Sequence, residues 1–264
     1  MQLISRSHPA LFKHCATEFN VAMGCNTVRI GTLWGFRDEE NELLRDSKEG
    51  TFTHSVKFEK LTKVSDEWMA EIQVEGGENH AHIDHLEINK GEVSVRGFTL
   101  EGSTANSWIF CVSAGDSEIG NISQAHPSKW KIDGENAQRF GNYMANLLFN
   151  SLTIADLPDS ITKGRTLREV HAGLSMNLSM APVEYVERSV SISSEENFPV
   201  ERLRELKQKI AFMKPKEFAR EREYRFVFSL VFENKIVSIA DRPKILQLRE
   251  IDTIVSRVSR PEVS

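Results

Sequence analysis

From Thr51 to Val112 the chain carries five strand-like runs, and this most restricts the folds open to it. The runs are Thr51 to Glu59, Trp68 to Val74, His80 to Ile88, Glu92 to Phe98 and Ser107 to Val112. Gly76-Gly77 and Lys90-Gly91 supply turn signals between them. Upstream, Thr27 to Leu33 is short and β-branched, and predicts another strand. The segment Arg37 to Glu49 is acidic and reads as a loop or short helix with a solvated face. Ala137, Phe140, Met144, Leu147 and Leu148 recur at helical spacing and predict a helix over Glu135 to Ser151 opened by Asp133-Gly134. A second helix is expected from Pro199 to Met213, with Leu203, Leu206 and Ile210 on one face. Val183 to Val186 reads as a strand between the two, and the apolar run Tyr224 to Phe232 as a central strand. Lys235 to Ile239 and Thr253 to Val258 close the sequence as strands. Strands, helix, strand, helix, strands is the order of an α+β fold with a mostly antiparallel sheet and a few packed helices.

No repeat, low-complexity tract or Pro/Gly linker divides the 264 residues, so a single domain over 1–264 is expected. At 40% hydrophobic residues the chain can bury a full core without disulfide or metal staples. Its net charge of −5 argues against a general basic face for nucleic acid, although a local basic groove is compatible with it. Cys15, Cys25 and Cys111 are odd in number and lack metal-ligand spacing, so free thiols in a reducing compartment are expected. Neither a signal-peptide core nor a membrane-length apolar run is present, which points to a soluble cytoplasmic protein.

Glu221, Glu223 and Arg225 alternate, and share one face if the last long strand begins that early. Two carboxylates so placed repel unless a cation or hydroxyl-rich ligand lies between them. One can steady a developing oxocarbenium ion while the other orients a nucleophile. The plain alternative is a solvated strand entrance in which the acids pair with Arg220, Arg222 and Arg225. His80-Ala81-His82-Ile83-Asp84-His85 matches a zinc-hydrolase ligand cluster, with His126 and His171 as distant candidates to complete it. It lacks the following glycine and reads more naturally as an exposed alternating strand, so no metal is expected. Trp34, Phe36 and Arg37 could stack on a nucleotide ring or cap the core beside a turn. No Gly-x-Gly-x-x-Gly or Walker sequence occurs, which excludes a Rossmann or P-loop nucleotide site.

The blocks Pro182 to Glu187, Phe212 to Phe218 and Glu221-Arg222-Glu223-Tyr224-Arg225-Phe226 resemble a widespread bacterial and phage family. A lysine and a Glu-x-Glu-aromatic-Arg block recur near the end of that family. Leu11 to His14, Ile30 to Arg37 and Ile109 to Ser113 look like its other blocks. The family in turn is similar to distant ADP-ribosyltransferases, some of them toxins or phage-defence effectors. That resemblance implies an ADP-ribosyltransferase-like sheet and NAD as substrate, with a protein or nucleic acid as acceptor. An antitoxin or regulatory protein is a further implied partner. It places Lys13 or His14 at the first position of a triad, Ser113 at the second and Glu223 at the third, with Glu221 as acidic partner. Lys13, Arg225, Trp34 and Arg37 are then candidates to hold the dinucleotide. The middle block reads Cys-Val-Ser-Ala rather than Ser-Thr-Ser, and the first lacks an arginine. The other readings are a non-catalytic nucleotide- or partner-binding module of the same fold, or the zinc hydrolase.

Overall fold

The computed structural model describes residues 8–38, 45–73, 76–115 and 126–258. Among the described residues the larger sheet has nine strands, antiparallel at every pairing. The axis is the pair β6 (Trp108–Ala114) and β12 (Glu223–Phe232), in register from Glu223 opposite Ser113 to Phe228 opposite Trp108. β8 (Leu174–Pro182) lines the other side of β12 over its whole length. Tyr224 to Phe232 is therefore the central strand its apolar run predicts, paired on both sides.

The free side of β6 is shared by two strands that do not meet. β1 (Leu11–Cys15) pairs only Leu11 with Ala114 and Phe12 with Ser113, then diverges toward β7 (Ser128–Ile132). β2 (Thr27–Thr32) pairs only Gly31 with Ile109 and Thr32 with Trp108. Between these contacts, Phe110 to Val112 face a gap in the ladder. Lys13 fills it: its Nζ donates 2.9 Å to the Cys111 carbonyl and lies 4.9 Å from the Phe110 ring centroid. A side chain thus replaces the missing backbone donor at a place where an unpaired carbonyl would be costly.

One face of the sheet buries Phe110, Phe226, Phe228 and Trp108 under the helix Ala137–Asn150, which contributes Phe140, Met144 and Leu148. Gly141 permits the close approach. A Cβ there would come within 2.6 Å of Leu178 Cδ2 and 2.9 Å of Met180 Sδ. Gly141→Ala is therefore expected to cost about 1–3 kcal/mol by overpacking, despite alanine's better helix propensity, which chemical denaturation would measure.

A second sheet, β10 (Ser189–Ile192), β3 (Thr51–Val64), β5 (Glu92–Ser103) and β4 (Asn79–Asn89), has its own core around Phe52, Val56, Trp68, Phe98 and Leu203. The expected strand at Trp68 to Val74 is instead the helix Asp66–Glu71, with Val74 outside the described residues. The Ser65 hydroxyl accepts the Trp68 N–H as an N-cap, and Asp66 and Glu67 occupy the first turn. Trp68 and Ile72, four apart, are both buried, so helical spacing outweighs strand propensity. The expected helix from Pro199 is α-helical over Val200–Lys209 and tightens to a 3₁₀ turn at Ile210–Phe212. The strand expected at Val183 to Val186 shrinks to β9 (Glu184–Tyr185), which pairs in parallel with β11 (Met213–Lys214). β13 (Lys235–Val237), β14 (Lys244–Gln247) and β15 (Val255–Arg257) complete the strands. Among the described residues no helix is long and apolar enough to cross a membrane.

Candidate functional site

At the gap between β1 and β6 lies a cavity of about 120 Å³. Lys13 and His14 from β1, Ser113 from β6, and Glu221, Glu223 and Arg225 all line it. Six of the eight candidate residues therefore share one site although they come from three distant parts of the sequence. Trp34 and Arg37 do not line it. The Trp34 indole N–H donates to the Thr104 carbonyl, Arg37 Nε donates 2.8 Å to the Glu49 carbonyl, and the Arg37 guanidinium stacks over Trp34. Phe36, between them, reaches the cavity instead.

Glu223 opens β12, and the register places it directly opposite Ser113. Both its oxygens are engaged: Arg225 Nε donates 2.6 Å to one and Lys214 Nζ 3.1 Å to the other. Its backbone N–H donates 2.7 Å to the Tyr185 hydroxyl, whose own pKa burial pushes up to about 12. Burial alone would raise the Glu223 pKa, but Arg225 and Lys214 outweigh it and hold the carboxylate well below its ordinary range. Glu223 is thus a fixed anion at neutral pH.

Glu221 behaves differently, and it is not on the strand. It ends the 3₁₀ segment Lys216–Glu221, and Arg222 then adopts a left-handed conformation with φ 46° before β12 begins. The turn, rather than strand alternation, brings Glu221 beside Glu223. Lys214 Nζ lies 2.6 Å from Glu221 Oε2, so one ammonium clamps both acids. Burial, with repulsion from Glu223, outweighs the pull of Lys214 and raises Glu221 to about 7. The two neighbouring acids are driven apart, one permanently charged and one poised to exchange a proton near neutrality.

Arg225 is 1% exposed and cannot leave its partners cheaply. Besides Glu223 it donates to both oxygens of Glu49, at 2.9 and 2.7 Å, and to the Ala211 carbonyl at 2.7 Å. Glu49 also accepts from Arg188, which forks onto Asp46 at 2.9 and 2.5 Å and donates to the Met213 carbonyl. A continuous chain results: Asp46, Arg188, Glu49, Arg225, Glu223, Lys214, Glu221. Such bidentate pairing is the condition under which buried charges are tolerated. Arg225 therefore holds Glu223 in place, whereas the sequence suggested a contact to the dinucleotide.

Asp46, Glu49 and Arg188 were not legible as site residues, because pairing across 176 positions, as between Glu49 and Arg225, leaves no local pattern. Lys214 could have been found, since a lysine is part of the block resembled by Phe212 to Phe218. Cys111 lines the cavity too, and burial, with Glu223 beside it, pushes its thiol pKa up and makes it a poor nucleophile. Burial lowers the Lys13 pKa, opposed by Cys111 and Glu223.

The His80 to His85 segment lies far from this chemistry in character. It forms part of β4, an edge strand whose His80, His82, Asp84 and His85 are all exposed. Its register is irregular around Asp84 and His85, His82 faces Asp84 at 3.7 Å, and His85 faces Glu87 at 3.1 Å. Among the described residues no group of three or more His, Cys, Asp or Glu side chains is arranged to hold a metal ion.

The fold and site together define a mixed α and β protein with a carboxylate–cation chain running into a split antiparallel sheet. No protein-family model matches the chain, and neither the curated proteins nor the solved structures contain a match to it.

Proposed function

We propose that the chain is an ADP-ribosyltransferase-like enzyme that uses NAD as donor and modifies a protein or nucleic acid. In this reading it serves as a toxin or phage-defence effector. The observation that carries the proposal is convergence: a basic pair on the first strand, a serine on a middle strand and a glutamate on a late strand meet at one cavity. That is the residue order implied by the resemblance of Leu11 to His14, Ile109 to Ser113 and Glu221 to Phe226 to that family.

The chemistry is consistent with the geometry. Cleaving the nicotinamide–ribose bond develops positive charge on the ribose, and a permanently ionised, oriented Glu223 stabilises it without reorganising. Glu221, titrating near 7, takes the proton from an incoming acceptor hydroxyl or amine. Ser113, opposite Glu223, hydrogen-bonds the nicotinamide amide or a ribose hydroxyl. A volume of about 120 Å³ admits only the reacting end of a dinucleotide, since ligand pockets commonly run to about 300 Å³ or more. The adenosine half then lies outside it.

The test is labelling of a bacterial lysate with a tagged NAD analogue. Wild-type protein is expected to transfer label, and Glu223→Gln to lose it by a factor of 100 or more, on the order of a removed electrostatic stabiliser. Ser113→Ala serves as a milder variant that leaves the buried ion pairs intact. Absence of label with wild-type protein would sink the enzymatic reading.

One observation favours a second reading, a binding module of the same fold. Both Glu223 oxygens are already taken by Arg225 and Lys214, as in a site kept for its shape. Retained NAD affinity without any transfer would select it.

A further inference from the structure

The outer edge of β8 differs from every other sheet edge among the described residues. The ends of the larger sheet are otherwise three or four residues long and carry charge: Lys235 in β13, Lys244 in β14 and Arg257 in β15. In the smaller sheet, β10 has four residues, and β4 bears charged and histidine side chains with an irregular register. These are the usual defences of an edge against another chain. β8 has none of them. Its nine residues, Leu-Ser-Met-Asn-Leu-Ser-Met-Ala-Pro, contain no charge, pair with β12 without a bulge, and carry proline only at the last position.

The backbone groups that face outward follow from the register. The Val183 N–H donates to the Glu223 carbonyl, so odd-numbered residues of β8 exchange hydrogen bonds with β12. The N–H and C=O of Met176, Leu178 and Met180 therefore point away from it. They meet no backbone partner among the described residues. Beside them runs an open groove of about 680 Å³ between β8 and the helix Ala137–Asn150. Gln138, Asn142, Asn146 and Phe149 form its helical wall, again without a charge.

We propose that β8 is a dimerisation edge, occupied by the β8 of a second copy of this chain in antiparallel register. The argument for a like partner is charge compatibility. A two-fold axis at Leu178 sets Leu178 against itself, Met176 against Met180 and Asn177 against Ser179 of the other copy, so the nine residues match like with like and bring no two charges together. This edge is neutral throughout, while the chain as a whole carries 33 basic and 38 acidic residues. Identical strands then extend one sheet across both copies, with an isologous interface that closes.

Sedimentation velocity at tens of micromolar, on the full chain, tests the pairing. The wild type is expected at twice the chain mass of 30.0 kDa. Asn177 is exposed on β8, outside the candidate site, and Asn177→Lys would set two lysines diagonally across the axis, within reach of each other. It is expected to sediment as a monomer with an unchanged far-ultraviolet spectrum, while Asn177→Ser stays dimeric. A monomeric wild type overturns the proposal, as does an Asn177→Lys variant that remains dimeric. Neither result depends on whether the protein transfers ADP-ribose.

Discussion

Glu49→Ala is expected to destabilise the fold by about 3–5 kcal/mol, read from the midpoint of urea denaturation at constant slope. The size follows from what is left behind. Arg225 directs two of its nitrogens at the Glu49 carboxylate and is 1% exposed, so the truncation leaves its Nη2 without that acceptor, away from water, and Glu223 as the carboxylate that still balances its charge. Arg188 loses a partner in the same step, though Asp46 still holds it. The double variant Glu49→Gln with Arg225→Met should recover part of the loss, because removing both charges is cheaper than removing one. Equal destabilisation by the single and double variants would show that the pair is not coupled as the distances imply. Glu223 should lose its fixed orientation in Glu49→Ala, so any transferase activity falls before the protein unfolds.

Acid lability is the second large effect, and it arises from a residue outside the site. His54 lies in β3, 1% exposed and packed against Phe52 at 4.7 Å between ring centroids. Burial lowers its pKa to about 4 from an ordinary 6.5, opposed only weakly by the Ile72 carbonyl; no hydrogen bond of good geometry reaches either ring nitrogen among the described residues. The folded state therefore binds the proton less well than the unfolded chain does. Above about pH 6.5 neither state is protonated and the imidazole is neutral in its apolar surroundings. Between 6.5 and about 4 the unfolded chain takes up the proton first, and stability falls by about 3 kcal/mol across that window. Below about 4 both states are charged and this contribution is constant. His54→Phe should flatten the window, and denaturation curves at pH 7, 5.5 and 4 will show whether it does. A pH dependence unchanged in the variant would assign the acid lability elsewhere.

Much of the fold was readable because it rests on local pattern. The helix Ala137–Asn150 has its apolar positions on one side, and the run Tyr224 to Phe232 is too apolar for anything but a strand paired on both sides. The helix Asp66–Glu71 was not readable from β-branched and aromatic content. Its deciding signals were the Ser65 cap and the spacing of Trp68 and Ile72. β8 also has a period-two pattern in Leu174, Met176, Leu178 and Met180, but Met and Ser bring little strand propensity to it. For the site, the alternation of Glu221, Glu223 and Arg225 pointed to a segment that does line the cavity, but by a partly wrong route, since Glu221 arrives through a left-handed turn at Arg222. The partners that fix those side chains are contacts of the folded chain alone: Asp46 and Glu49 belong to the run Arg37 to Glu49 that reads as a solvated face yet both are buried, and Arg188 stands in no local pattern.

A backbone ladder is indifferent to side-chain identity, and for that reason most of a sheet tolerates substitution. At the gap beside Phe110 to Val112 that indifference is lost, because Lys13 supplies the bond to Cys111 that a neighbouring strand would otherwise make. Cohesion of the sheet has there become a property of one codon. The same ammonium also sets part of the cavity's charge. Architecture and chemistry are thus pleiotropic at position 13, and neither can be tuned by selection or by design without altering the other.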